Sequence, residues 1–255
     1  MKQRSQSQRA SSAARDRSAG FTLIEAVLVV ALIGLLIGLG LPSVGRVKAK
    51  AVSMVALADV RTHATIATAY ASDYKDSFIC ILDPAYTHTV VVVPGTSRRE
   101  TLAYFEQRFY WWYGLVDYYG ENISQSFFAP RKDGPGRYSV YYYTVSGLAR
   151  PQYWRRETRT PTGQIGPMRL ADVRYPARKG LFANLGSNSA RRRLMRDYID
   201  LEGSFCDASA RVTQRTSLLP PVPGGEGPLG WPYSFDPFGD AITHTADGVL
   251  GADLR

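Results

Sequence analysis

Residues 21–41 form one unbroken apolar stretch, FTLIEAVLVVALIGLLIGLGL, in which Glu25 is the only charged side chain and Thr22 the only hydroxylated one. A helix through such a run is long enough to span a bilayer. A carboxylate within it is costly to insert, so Glu25 calls for a reason to be there. The helical pattern does not stop at residue 41. Val47, Ala51, Met54 or Val55, Ala58, Thr62, Ile66, Ala69 and Tyr70 recur at spacings of three and four, the stripe of an amphipathic helix. Lys48, Lys50, Ser53, Asp59, Arg61 and Asp73 fill the other face, which places His63 on the polar, solvated side. The spacing predicts one helix from residue 21 to about residue 74, about 80 Å long at 1.5 Å per residue. Pro42 should kink it near the membrane surface, and the small residues of its stripe should let it lie close against a sheet or a neighbouring helix.

Beyond this helix the pattern shortens. Residues 78–82 and 90–93 are short β-type runs separated by Pro84 and bounded by Pro94-Gly95. Ser97-Arg98-Arg99-Glu100 reads as a capping box, with the hydroxyl capping one amide and the carboxylate reaching back to another. It would open a second helix over about 98–118, where Leu102, Phe105, Phe109, Trp112 and Val116 follow the 3.6 period. Residues 137–148 alternate tyrosines and β-branched residues and predict a strand. Residues 149–167 form an extended surface loop. Residues 179–185 and 198–213 predict further strands, the latter broken by a turn at Glu202-Gly203. Residues 218–237 hold six prolines and four glycines and lead into a tail of scattered aspartates. A long helix, then antiparallel strands, then a loop-rich tail is an α+β order.

Charge changes the picture at the N-terminus. Residues 1–20 carry five Lys/Arg against the single acid Asp16, a flank that stays on the cytoplasmic side and sends the following chain across the membrane. A secretory signal has a shorter apolar core, with its small-residue cleavage site after that core; Ala49-Lys50-Ala51 lies well past the run and inside the predicted helix. The leader contributes +4 of the formal charge of +9 and leaves +5 on the remainder, which is only modestly basic and gives little support for a nucleic-acid partner. About 200 residues remain beyond the apolar run, enough for one sizeable globular domain.

Gly20-Phe21-Thr22-Leu23-Ile24-Glu25, set directly before such a run, resembles the class III signal of type IV pilins and type II secretion pseudopilins. The resemblance covers roughly residues 15–50. It implies a basic prepilin leader over 1–20, cleavage by a prepilin peptidase between Gly20 and Phe21, and methylation of the new Phe21 amine. It implies a transmembrane and assembly helix over 21–44, with Pro42 at the helix-kinking position, and a periplasmic pilin-like domain over 45–255 that includes the amphipathic part of the helix. Glu25 of one subunit would meet the Phe21 ammonium of the next. The last part of the chain also resembles large pseudopilin-like proteins through Asp247-Gly248-Val249-Leu250-Gly251-Ala252-Asp253. Where those proteins carry an Asp-Gly-His step, this chain has Asp207-Ala208-Ser209.

Other candidate chemistry is thin. His63, His88 and His244 show no metal-ligand spacing, and neither a nucleophile elbow nor a phosphate-binding glycine loop nor a His-Glu-x-x-His pair appears, so no enzyme and no cofactor is expected. Asp236, Asp240, Asp247 and Asp253 could supply oxygens to calcium, but their spacing matches no EF-hand, and a solvated acidic tail is the plainer reading. The aromatic run 104–119 reads as core in preference to a binding surface, and Arg191-Arg192-Arg193 with Arg196 as a charged turn. Cys80 and Cys206, the only cysteines, both fall in predicted β-type segments. They are either a disulfide across the sheet or two buried structural thiols. The expected function is a structural filament subunit, most simply a type II secretion pseudopilin, held in the inner membrane with its C-terminal domain in the periplasm. Its partners would be the prepilin peptidase, other pilin-like subunits and the secretion or pilus assembly machinery. The alternative is a minor pilin that binds DNA or surfaces.

Overall fold

The protein was analysed as a computed structural model, which describes residues 22–120, 139–155, 157–160, 163–184, 200–219, 242 and 244–255. Two compact units divide the chain, Met1–Lys50 and Ala51–Arg255. In the first, helix α1 (Leu23–Asp73) begins at the start of the apolar run. Its side chains are exposed, from 82% at Leu23 to 44% at Val29. Among the described residues no helix is long and apolar enough to cross a membrane, and Phe21, which opens the apolar run, lies outside them. The helix assignment continues through Pro42, whose side chain, and with it the expected kink, lies outside the described residues.

The second unit is built on the last part of α1. Ala56, Val60, His63, Ala64, Ala67, Tyr70 and Ala71 are buried at spacings of three and four, a stripe of mostly small residues that lets aromatic side chains approach the helix axis closely. A four-stranded antiparallel sheet contributes to the same core, in the order β3 (Tyr141–Tyr143), β4 (Gly180–Asn184), β5 (Asp200–Phe205) and β6 (Ala210–Gln214). Tyr142 pairs with Ala183 and Glu202 with Val212. This long helix followed by an antiparallel sheet is the α+β, pilin-like layout expected.

Of the predicted helix stripe, Tyr70 is buried and Ile66 half-buried against the core, but the other members face outward. Val47, Met54 and Val55 are 68%, 64% and 60% exposed, and Ala51, Ala58 and Thr62 are exposed with them. The buried stripe runs through His63, which the polar-face assignment placed in solvent. His63 is fully buried, with its Nδ1 2.5 Å from the Tyr119 hydroxyl and its ring against Trp111 at 4.8 Å and Tyr141 at 4.9 Å. An imidazole with a hydroxyl partner is tolerated in an aromatic core, and no hydropathy pattern distinguishes it from a solvated one. Nearby, the Tyr141 hydroxyl donates to Asp59 at 2.6 Å and Ser53 donates to Glu202, so polar residues also tie the helix to the sheet.

Several local expectations are corrected. Residues 97–100 do not open a helix. Strand β1 (His88–Val92) pairs antiparallel with strand β2 (Arg99–Ala103), turning through Gly95 at φ +74°. The β-branched residues Val90–Val92 and Thr101 favour that hairpin over the cap. A succession of short helices follows: a 3₁₀ turn Tyr104–Glu106, α2 (Gln107–Tyr110), a 3₁₀ turn Trp111–Leu115 and α3 (Val116–Tyr119). The cap belongs to Glu106, whose carboxylate accepts the Ala103 amide at 2.8 Å. Tyr104, Tyr110, Trp111, Trp112 and Tyr119 are buried, so this aromatic run is core as expected. Phe78, Ile79 and Leu82 are buried, and Cys80 and Ile81 half-buried, without joining a sheet, because side chains take two of the amides: Tyr143 the Ile79 N–H and Gln107 the Ile81 N–H, each at 2.9 Å. Among the described residues of the strand predicted over 137–148, Tyr141–Tyr143 is strand, and the expected loop at 149–167 folds a 3₁₀ turn, Pro151–Trp154, that buries Tyr153 and Trp154. The turn between β5 and β6 lies at 206–209, not at Glu202-Gly203, which sits inside β5. Ala208 adopts φ +60°, and Asp207 caps the Ser209 amide at 3.0 Å.

Burial lowers the His63 pKa from its ordinary value to about 3. Between there and about 6.5, its value in an unfolded chain, the folded state binds fewer protons, so stability falls as pH falls through that window. Lowering the pH from 7.5 to 4.5 should cost about 2–3 kcal/mol through this group. The check is denaturant unfolding at both pH values. His63→Phe should flatten the difference, and an unchanged difference would show that other groups carry it.

Candidate processing and assembly segment

The first turn of α1 is fixed by a side chain inside the apolar run. Thr22 precedes the helix, and its amide and hydroxyl both donate to Glu25 Oε2 at 2.8 Å, while the Glu25 amide donates back to the Thr22 hydroxyl at 3.3 Å. This reciprocal arrangement satisfies backbone donors that have no partner within the helix, and it sets a carboxylate at the positive end of the helix dipole. Thr-x-x-Glu directly before an apolar run is the sequence signal for it, yet Thr22 was not singled out from the sequence. Glu25 is exposed, as are the apolar residues after it, including Ile24 at 78%, Val30 at 69% and Leu36 at 69%. Gly20 and Phe21, the two residues of the expected cleavage junction, lie outside the described residues.

Chemically, this segment offers a carboxylate held four residues from position 21 and an uninterrupted apolar surface after it. No nucleophile or metal set accompanies it. Among the described residues, no group of three or more His, Cys, Asp or Glu side chains could hold a metal ion. His88 is exposed on β1, and His244 is buried near Arg108 and Trp154. Arg191, Arg192, Arg193 and Arg196 lie outside the described residues, as do Asp236 and Asp240.

The two cysteines do not pair. Cys80 and Cys206 are free thiols. Cys80 belongs to the segment that stays out of the sheet, and its Sγ lies 3.2 Å from the Leu82 carbonyl and 3.5 Å from the Tyr104 hydroxyl. Cys206 opens the turn after β5 and donates its amide to the Lys179 carbonyl at 2.9 Å. They are therefore not cross-strand neighbours. Burial raises the Cys80 pKa and pushes the Cys206 thiol up to about 12, so both are poor thiolates.

The aspartate tail is not uniformly solvated either. Asp253 is buried beside the fully buried Lys179, with Nζ 3.1 Å from Oδ2. The Gly180 amide donates to the same oxygen at 2.8 Å, and the Thr245 hydroxyl donates to Oδ1 at 2.6 Å. Asp247 pairs instead with Arg155. Gly248 makes this closure feasible: it has φ +58°, and a Cβ there would lie 2.5 Å from Trp154 Cδ1. The Asp-Gly…Gly…Asp tail thus has a structural reason that its spacing alone does not disclose.

Residues 15–41 match the prokaryotic N-terminal methylation motif. The motif is the hallmark of the prepilin-cleavage region of type IV pilins and pseudopilins, a family of structural subunits. The match encloses the Gly20–Phe21 junction, the Thr22–Glu25 cap and the exposed apolar run. No curated protein and no solved structure gives a significant match to the chain.

The buried pair carries a prediction for the tail. Asp253→Ala would leave the Lys179 ammonium buried without its carboxylate and should cost about 3–5 kcal/mol, read as a shift in the denaturant midpoint. The double change Lys179→Met, Asp253→Leu should lose much less. Equal losses would show that the carboxylate acts through its amide and hydroxyl partners and not through the ammonium.

Proposed function

We propose that this chain is a structural subunit of a type IV pilus-like filament, and specifically a pseudopilin of a type II secretion system. The coarser statement stands on the motif: the chain is a type IV pilin-like substrate of prepilin peptidase that assembles with other pilin-like subunits. What supports the filament reading is the N-terminal apolar run, whose one carboxylate, Glu25, sits in the first turn of α1 ahead of an apolar surface that the subunit does not cover itself.

In this reading the basic leader stays in the cytoplasm, the run from Phe21 to Leu41 holds the precursor in the inner membrane, and the domain beyond it lies in the periplasm. Cleavage after Gly20 creates an ammonium at Phe21. Methylation leaves its charge in place. In a bundle of subunits, the Phe21 ammonium of one and the Glu25 carboxylate of the next are opposite charges in a low-dielectric setting. Each relieves the cost of burying the other. Thr22 competes for the same carboxylate, so the cap holds Glu25 until a neighbour arrives. Removal of a subunit from the bilayer exchanges lipid for neighbouring apolar helices, which keeps the run from Phe21 to Leu41 out of water throughout.

Glu25→Leu should still insert and be cleaved, because it makes the helix more apolar and leaves Gly20 and Phe21 intact. It should fail to enter filaments, and Glu25→Gln should be intermediate, since an amide accepts a hydrogen bond but carries no charge. The measurement compares cleaved, membrane-inserted subunit with sheared or cross-linked filament for the three proteins. Wild-type incorporation of Glu25→Leu would remove the ion pair from the assembly mechanism.

A further inference from the structure

Around the 3₁₀ turn Pro176–Arg178, just before β4, the second unit gathers cations without matching acids. Arg174 and Arg178 both reach the ring of Tyr175, with their guanidinium carbons 5.4 Å and 5.7 Å from its centroid. Arg211, from β6, lies over the ring of the buried Phe205 at 4.3 Å and donates to the Ala177 carbonyl, which brings a third guanidinium to the same turn. Arg174, Tyr175, Ala177 and Arg211 are exposed, and Arg178 is half-buried. The acids of the neighbouring segments are engaged elsewhere. Asp172 pairs with Arg169 at 2.9 Å, Asp247 with Arg155 and Asp253 with Lys179, while Asp207 accepts the Ser209 amide and hydroxyl. Among the described residues, no carboxylate pairs with Arg174, Arg178 or Arg211.

Like charges held together repel, and an anion shared among them relieves that cost. These guanidiniums are also held in place beforehand, by rings and by main-chain carbonyls: Arg178 Nε donates to the Leu254 carbonyl at 2.8 Å. A guanidinium so fixed loses little freedom on binding, and its N–H fork matches the two oxygens of a carboxylate. Nucleic acid fits less well. Two guanidiniums already lie against the exposed ring of Tyr175, which leaves little open face on which a base could stack. A polypeptide fits better, because β6 is the last strand of its sheet and among the described residues pairs only with β5, so its outer edge offers main-chain groups to an extended chain. We infer that the 174–178 turn and the β6 edge, linked by Arg211, dock a carboxylate-rich extended segment of a partner protein. This inference goes beyond the filament reading and does not depend on it.

The test uses the purified full chain in a neutral detergent, with a fluorescent decaglutamate peptide that carries a benzophenone. The peptide should bind with an affinity that falls as salt rises, and its crosslinks, identified by mass, should map to residues 174–178 and to β6. Arg174→Ala combined with Arg211→Ala should weaken binding about fivefold. Arg174→Ala alone, which removes no side-chain hydrogen bond, should melt like wild type and still weaken binding about twofold. Arg61→Ala, at an exposed arginine on α1, should change nothing. A single-stranded oligodeoxythymidylate of equal charge and inorganic polyphosphate are titrated beside the peptide and should bind more weakly at this turn. Wild-type affinity in both Arg174 variants, crosslinks confined to the basic leader, or an equal loss in Arg61→Ala would overturn the inference. Tighter binding of either phosphate polymer at 174–178 would overturn it too, in favour of a nucleic-acid or phosphate ligand. Each of these outcomes leaves the filament reading intact.

Discussion

Apolar side chains along the first part of α1 face outward in the single subunit, and water cannot be their resting environment. Each buried methylene is worth about 0.8 kcal/mol, so a surface running from Leu23 to Leu41 is strongly driven towards lipid or towards other helices. Everything else about the N-terminus follows from that requirement. The Thr22–Glu25 cap satisfies the first backbone amides of the helix and sets the run's single carboxylate at its start; in the proposed filament that carboxylate would supply a directional contact that apolar packing alone does not, and the basic leader would fix the direction of insertion.

The second unit meets a different constraint. It must hold the last turns of the same helix firmly enough to serve as a head, and it does so with small residues on the helix and large aromatics around them. Tyr104, Trp111, Tyr143, Tyr153 and Phe182 are among its fully buried side chains, and the His63 ring packs against Trp111 and Phe182. Buried polar groups then fix one arrangement among the many that a merely apolar core would allow. The His63–Tyr119 and Tyr141–Asp59 bonds tie the helix to the core, and Lys179 with Asp253 pins the tail.

The sequence was most legible where one requirement dominates. The N-terminal methylation motif over residues 15–41 could be read because its signal lies entirely in local sequence. Strand β4 was legible within the strand predicted over 179–185, and the aromatic run 104–119 as core. What failed did so where two requirements overlap. Helix α1 carries two apolar stripes beyond residue 50, and periodicity found the one with Met54 and Val55, not the one with His63 and alanines that the domain buries. The Ser97–Glu100 cap lost to a hairpin that pairs Arg99 with Val92 and Glu100 with Val91, seven and nine residues upstream, beyond the four residues of the capping signature. Asp253 read as solvated because its partner, Lys179, is distant in sequence, and a lone lysine before a strand gives no hint of burial.

The most direct measurement is the N-terminal mass of the protein isolated from the membranes or filaments of cells that make it with their own peptidase. Phe21 should be the first residue, carrying one extra methyl group, and replacing Gly20 with a bulky residue should leave the leader attached. An intact leader on assembled protein, or a first residue beyond the apolar run near Ala51, would contradict the assignment, because the helix would then lack either the free amine or the apolar surface on which assembly depends.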